Sequence, residues 1–405
     1  MQNEVERGIT MNLQREKVMQ AIDILKAQDM DMWMIIGRET MMNSDPVIPL
    51  ISKSEFGGMT AAIICQDGTN SLIANHLDAG GHRLSEVYDE VIEYTDYNIF
   101  DVIKKIFNKL NPRKLALNYS EDVAADGLTV GLYNQLMVFL KEIDYKGEVC
   151  SSEHVIAKLR GQKSPTEIDR IKISIGITMD IFEDIKGFIK PGIKDTDIFN
   201  YCKEQMYKYK VTDAWDPHAN PIVSVRNDSV GGHAGTIGLT VNEGDIIRLD
   251  FGVKKDGYCS DLQRNFYVPK ENEERVPEDV VEVFKAVQEG ILLGAKHMTI
   301  GTAIDIPDTL VKQYLADSNL PVYNHSLGHQ IGSFAHDGGL SMHKKWIDKA
   351  KVKGHDYKFE ENMVYTIEFG CASSRGVCAQ EEIVVIRENG VEWLSKPQEY
   401  IYICK

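Results

Sequence analysis

The stretch IIRLDFGVKKDGYCSDLQRNFYV, residues 246–268, sets two aspartates, Asp250 and Asp261, into what otherwise reads as a buried β-hairpin. A surface hairpin alternates apolar and polar residues, and Ile246, Ile247, Leu249, Phe251 and Val253 leave few positions for water. A carboxylate buried there costs on the order of several kcal/mol unless a cation compensates it. Asp256-Gly257 signals a tight turn, because both residues tolerate positive φ. A four-residue loop, Lys254 to Gly257, would set Asp250 directly opposite Asp261. A two-residue loop of Asp256-Gly257 would make them diagonal neighbours on one face, and a three-residue loop would split them. Two anions that close share a proton or hold a metal. The plain alternative is a solvated pair at the mouth of an ordinary hairpin.

Three later stretches repeat the pattern. YNHSLGHQIGSFAHDGG supplies His325, His329 and His336; MVYTIEFG supplies Glu368; AQEEIVVI supplies Glu381 and Glu382. Neighbouring strand residues point to opposite faces, so only one of the last two aims inward, and Glu382 is assigned to the solvated face. Two Asp, one His and two Glu carry up to four negative charges, enough to balance two divalent cations. Mainly oxygen ligands with one imidazole suit Mn²⁺, Fe²⁺, Co²⁺ or Zn²⁺, with the hard donors favouring Mn²⁺. Two such ions about 3.5–4 Å apart can bridge a water, lower its pKa and polarise a carbonyl, which is hydrolytic chemistry.

These residues must be held by ordered elements. The first 150 residues read as α/β. A helix is expected from Leu13 to Gln28, with strands at Met32 to Ile36, Thr60 to Cys65, Ser71 to Ala74 and Lys114 to Leu117. Further helices are expected near Ile99 to Leu110 and Leu132 to Leu140. Methionines 30, 32, 34, 41 and 42 have no accompanying histidines and read as core filler rather than a copper site. Ser164, Pro165 and Glu167 form a capping box with proline at the first helical position, predicting a long helix to about Ile189. Thr196 to Tyr209, Asp279 to His297 and Ile304 to Ala316 read as further helices, and 340–360 as a surface excursion. The C-terminal half is therefore helices around a mostly antiparallel sheet.

The net charge of -16 argues against nucleic acid or an anionic membrane as the main partner. The first 25 residues carry charges throughout and the longest clean apolar run is Met59 to Cys65, so the expectation is a soluble, cytoplasmic protein. Seven dispersed cysteines without a CxxC pair fit reduced thiols. Cys371 and Cys378 lie in no local signature of a nucleophile.

The order of Asp250, ten residues, Asp261, then Gly328-His329-Gln330-Ile331-Gly332, a strand ending in Ile367-Glu368, and Glu381-Glu382 resembles the pita-bread metallopeptidases. That group includes Xaa-Pro aminopeptidase, prolidase, methionine aminopeptidase and the related creatinase. LRGQKSPTEIDRIKIS resembles the entry to their catalytic domain, and the first 150 residues resemble a creatinase-type N-terminal domain. The resemblance implies an α/β N-terminal domain over residues 1–157, followed by an α+β pita-bread catalytic domain over 158–405. It implies that Asp250 chelates one metal ion and Asp261 bridges two, that His329 and Glu368 complete the other, and that Glu381 is the second bridge. Glu368 would also be the general base toward a metal-bridged hydroxide, with Mn²⁺ the favoured metal. His233, His325 and His336 match by spacing the histidines that contact substrate, with His233 and His336 assisting catalysis at the scissile carbonyl. The implied activity is removal of the first residue from a short peptide with proline second, by a homodimer.

The departures from the family pattern fall around the substrate. The usual HGIG is His329-Gln330-Ile331-Gly332, the usual HExP is His336-Asp337-Gly338-Gly339, and IEPG is Ile367-Glu368-Phe369-Gly370. Ala379 stands where prolidase and Xaa-Pro aminopeptidase commonly carry arginine. Two rivals follow: a hydrolase of the same fold with a non-proline or non-peptide amide substrate, and a non-catalytic binding or scaffold protein with the same ligands. Creatinase lacks the metal ligands, so the complete set argues against metal-free creatine hydrolysis.

Overall fold

The run MWMIIG forms strand β1 (Met32–Gly37), buried at every position. Trp33 and Ile35 pack into one apolar cluster, while Met32, Met34 and Ile36 pack into another on the opposite side of the sheet. A strand covered on both faces has no reason to alternate, which is why it reads as a continuous apolar run. The computed structural model describes residues 12–96, 98–226, 235–339, 341–352 and 357–404. The chain divides into two units, Met1–Arg160 and Gly161–Lys405.

In the first unit β1 is joined by β2 (Thr60–Cys65), β3 (Asn70–Asn75), β4 (Glu90–Tyr94), β5 (Lys114–Leu117) and β6 (Glu148–Ser151), in the order β4-β3-β2-β1-β5-β6. Helices Leu13–Ala27, Ile99–Leu110 and Val130–Glu142 supply residues to the two clusters. Met32 and Met34 are core residues and Met30 packs at its margin, as expected. Met41 and Met42 are not core: they are 82% and 88% exposed, in the turn that follows β1.

The second unit opens with helix Pro165–Ile185. The Ser164 side chain accepts from the Glu167 backbone N–H, and the Glu167 carboxylate accepts from that of Ser164, so the predicted capping box forms. The unit's short strands β7 (Thr212–Asp213), β10 (Val253–Lys255) and β11 (Tyr258–Cys259) make a three-stranded sheet. The main sheet runs β13 (Val364–Ala372), β14 (Val377–Arg387), β12 (Leu262–Tyr267), β9 (Ile246–Phe251), β8 (Ile222–Val225), all antiparallel. Strand β15 (Gly390–Trp393) pairs with β14, and β16 (Tyr402–Ile403) runs parallel to β12.

Helices Glu278–His297 and Ile306–Asp317 cover one face of this sheet, where Val287, Ile291, Val311 and Leu315 meet Tyr365, Ile367, Phe369, Val384 and Ile386. The alternate residues of β13 and β14 are thereby turned to the other face. The region 340–360 is more than a surface excursion. Its described part contains helix Lys344–Val352, and Met342, Ile347 and Phe359 enter the apolar core from between the lysines. No helix among the described residues is long and apolar enough to cross a membrane.

Candidate metal centre

The hairpin settles the register of the two aspartates. Asp256 (φ 49°) and Gly257 (φ 84°) are both left-handed, and Lys255 pairs with Tyr258, so the loop has two residues. Asp250 therefore lies opposite Gln263, and Asp261 is its diagonal neighbour on the same face. The register continues outward: Gln263 pairs with Glu381 of β14, and Glu381 with Glu368 of β13. Glu368, Glu381, Gln263 and Asp250 thus form one rung across four strands, with Asp261 beside it.

His329 comes from a segment that runs along the free edge of β13. The His329 carbonyl accepts from Thr366 N–H at 2.9 Å, and Glu368 N–H donates to the Leu327 carbonyl at 2.7 Å. Gly328 makes this approach possible, since a Cβ there would lie 1.9 Å from the Thr366 carbonyl oxygen. Buried Asp308 fastens the start of the segment, accepting from Leu327 N–H (3.0 Å), the Tyr323 hydroxyl (3.0 Å) and Lys312 Nζ (2.8 Å). Beyond it, Asp337 accepts from Lys163 Nζ at 2.8 Å and Ser333 Oγ at 2.9 Å, a fully buried ion pair that holds the turn before His336.

At the centre, His329 Nε2 stands 3.8 Å from Asp261 Oδ2, 3.7 Å from Glu368 Oε1 and 3.8 Å from Glu381 Oε1. These separations exceed a hydrogen bond. They leave a gap of the kind filled by an ion liganded at roughly 2.0–2.2 Å on each side. Nδ1 lies 3.3 Å from the Gln330 carbonyl; an imidazole donating there presents its Nε2 lone pair to the carboxylates. Burial, with His336 packed edge-on at 4.3 Å between ring centroids, pushes the His329 pKa down to about 3, so the ring is neutral.

The carboxylates show the same unmet demand for a cation. Burial and the Asp250 charge raise Glu368 to about 8. Burial and mutual repulsion push Asp261 and Glu381 well above the usual carboxylate range, and Asp250 is hydrogen-bonded to Asp261. Glu381 Oε1 is buried with no hydrogen-bond partner. Asp261, His329 and Glu381 each offer a ligand atom within 4.8 Å of the others. The donor set fits hard or borderline divalent ions.

The other histidines are placed unevenly. His336 is solvent-exposed against the His329 ring. His325 is also exposed; its Nδ1 lies 2.7 Å from the Ser326 carbonyl and its ring packs on Tyr323. His233 lies outside the described residues. Glu382 is not solvated as expected. It is fully buried on the opposite face of β14, bound through both oxygens to Arg264 at 3.0 Å each. The thiols of Cys371 and Cys378 are buried and raised in pKa, Cys378 to about 12, which leaves neither a ready nucleophile.

Gln263 was not evident as a site residue. Its Nε2 donates to Glu368 and Glu381, 2.9 Å each, tying two of the acids into one geometry. The available signal was a polar side chain two residues after Asp261, hence on the same face of an apolar strand. The Lys163–Asp337 pair joins residues 174 apart and left no such signal. Two departures from the family pattern explain each other: a Cβ at Gly339 would lie 2.3 Å from Gln330 Oε1, so the glutamine occupies the space a larger residue at 339 would need. Ala379 is buried opposite Gly370, so close that a Cβ on Gly370 would sit 2.7 Å from its methyl.

A profile of metallopeptidase family M24 matches residues 169–388. The chain is 27% identical over 282 residues to an uncharacterized peptidase, YqhT, of Bacillus subtilis, covering 69% of this chain and 73% of that protein. It is 25% identical over 310 residues to a putative Xaa-Pro aminopeptidase of Mycoplasma pneumoniae, 76% and 79% of the two chains. In fold it matches the Xaa-Pro dipeptidase from Bacillus anthracis with a TM-score of 0.71 at 23% identity, over 96% and 99% of the chains. The X-Pro aminopeptidase from Thermotoga maritima matches with a TM-score of 0.68 at 22% identity, over 95% and 99%.

Proposed function

Because the chain belongs to metallopeptidase family M24, with the pita-bread fold of its structural neighbours, we propose that it removes the N-terminal residue from short Xaa-Pro peptides using two divalent ions, Mn²⁺ foremost. The observation that carries this reading is the rung of Asp250, Gln263, Glu381 and Glu368 facing His329, with an unpartnered oxygen of Glu381 at its centre. Asp250, Asp261, His329, Glu368 and Glu381 would hold the ions. Bound there, they supply an activated water and polarise the scissile carbonyl.

The chain's own residues do the rest. The Glu368 side chain is 22% exposed against 9% for Asp261 and 2% for Glu381, so of the three carboxylates around His329 it is the one a substrate reaches most readily. It is placed to take the proton from the attacking water and return it to the leaving nitrogen. His336 and His325, both exposed beside His329, are placed to donate to the carbonyl oxygen as charge develops on it. The proline preference is drawn from a relative and a structural neighbour, a putative Xaa-Pro aminopeptidase and an Xaa-Pro dipeptidase. Ala379, packed opposite Gly370, favours a second reading in which the same centre cleaves a different amide.

The test is hydrolysis of Xaa-Pro dipeptides, Xaa-Pro tripeptides and Xaa-Ala controls by chelator-stripped protein reloaded with Mn²⁺, Co²⁺ or Zn²⁺. Metal-dependent release confined to the proline peptides is expected, and release from Xaa-Ala alone moves the assignment to the second reading. Glu368→Gln should lower turnover by about 10²–10⁴-fold in folded protein; unaltered turnover removes Glu368 as the base.

A further inference from the structure

Arg248 lies on β9 two residues before Asp250, and so on the same face. Its guanidinium is half-buried. Nη1 donates to Gln263 Oε1 at 3.2 Å and Nη2 to Ser224 Oγ at 3.0 Å, while Nε is buried with no partner. Among the described residues both partners are neutral oxygens. Its charge is felt at Glu368 and at His325.

A cation in this position opposes the binding of other cations nearby. Once divalent ions neutralise the carboxylates, the Arg248 charge has no counterion among the described residues of the centre. The structure has another buried arginine, Arg264, and that one is closed by a bidentate pair with Glu382. Arg248 has the same fork and, among the described residues, no carboxylate in it. What completes it must arrive with the substrate, and an amide bond carries no charge.

We infer that Arg248 is a specificity-determining residue that binds the free C-terminal carboxylate of a dipeptide substrate. This rests on the peptidase reading above and narrows it to dipeptides. The reach agrees. Two strand residues separate the Arg248 and Asp250 Cα atoms by roughly 6.6 Å, and a dipeptide places its terminal carboxylate about one residue, 3.3–3.6 Å, beyond the scissile carbonyl. The arginine side chain spans the remainder. Ser224 and Gln263 hold the planar fork in one orientation, which favours two-point recognition of a carboxylate.

The experiment compares Ala-Pro with Ala-Pro amide, using Mn²⁺-loaded wild type, Arg248→Met and Arg248→Lys, by steady-state kinetics and by calorimetric binding. Wild type should prefer the acid by about 10–100-fold in kcat/KM, carried mostly by KM. R248M should lose that preference and R248K should retain part of it, with metal content and melting temperature of both variants matching wild type. Equal handling of acid and amide by wild type overturns the inference, as does an R248M variant that loses metal or weakens acid and amide alike. Protein that cleaves neither peptide yet binds the acid at least about ten-fold more tightly through Arg248 would overturn the peptidase reading and keep the anchor. Protein that binds neither overturns the anchor.

Discussion

Glu381 and Glu382 are neighbours on one strand, both essentially inaccessible to water, and their surroundings are opposite. Glu382 faces the helices. It meets both terminal nitrogens of Arg264 and accepts further hydrogen bonds from Ser395 Oγ (2.5 Å), Gln380 Nε2 (2.8 Å) and Gln398 N–H (3.2 Å). Glu381 faces three other carboxyl groups and a neutral imidazole, and one of its oxygens has no partner. A buried carboxylate satisfied by the chain itself is part of the scaffold. One that is left in want of a cation marks a candidate site for binding one.

The sharpest way to test this contrast is to neutralise each glutamate in turn. Glu381→Gln should abolish turnover, with a loss at the upper end of, or beyond, the roughly 10²–10⁴-fold that a general base contributes, and should lower metal content. Its metal-free melting temperature should hold or rise, because one of several like charges has gone. Glu382→Gln should do the reverse. It leaves Arg264 buried without its counter-charge, which costs about 3–5 kcal/mol in urea unfolding, while the metal content of the folded protein stays at the wild-type level. A Glu381→Gln variant that unfolds as Glu382→Gln does would erase the distinction.

A smaller effect belongs to Gln263, the only rung residue without a charge. It holds Glu368 and Glu381 by hydrogen bonds from one amide nitrogen and receives Arg248 on its oxygen. Gln263→Ala should weaken metal binding by about 10–100-fold, as loss of a partner that orients ligands commonly does, while keeping the fold. A competition titration against a metal-sensitive dye measures it. Affinity equal to wild type would mean that the acids need no neutral tether.

These roles were legible in the sequence to different degrees, for physical reasons. Asp250, Asp261, Glu368 and Glu381 stood out because each interrupts an apolar strand, and the Asp256-Gly257 turn limited the aspartates to one face for either even loop. The period-two rule correctly separated Glu381 from Glu382 but gave the second the wrong surroundings. Whether the far face of a strand meets water or helices is a tertiary fact, and Arg264, which satisfies Glu382, reads in sequence like any surface arginine. Met41 and Met42 failed for the complementary reason. They follow an apolar strand and share its composition, yet the chain has already turned out of the sheet. Arg248 sits inside the same stretch as the two aspartates, but only its partners in the fold, Gln263 and Ser224, show that it has no counter-charge among the described residues.

The mildest prediction concerns the metal-free protein and pH. Glu368 ionises near its ordinary value of 4.5 in the unfolded chain and near 8 in the folded one. Below the lower value both states are protonated and nothing is gained or lost. Between the two the folded state holds a proton that the unfolded chain has released, so stability falls as pH rises and is lowest above the upper value. Asp261 and Glu381, raised by the same burial and repulsion, act in the same sense. Neutral His329, held near 3 against its ordinary 6.5, acts in the opposite sense below about pH 6.5, so the chelator-treated protein should melt a few degrees lower at about pH 8 than at about pH 6.5, where the Glu368 effect is unopposed. This is the reverse of the usual acid unfolding, in which paired carboxylates lose their partners as pH falls. Reloading with Mn²⁺ should flatten or invert the slope, because a cation among the carboxylates favours their charged forms. Glu381→Gln should reduce the slope in the metal-free protein. If the wild-type slope already has the ordinary sign, the carboxylates are compensated without metal, and the contrast between the two faces of β14 fails.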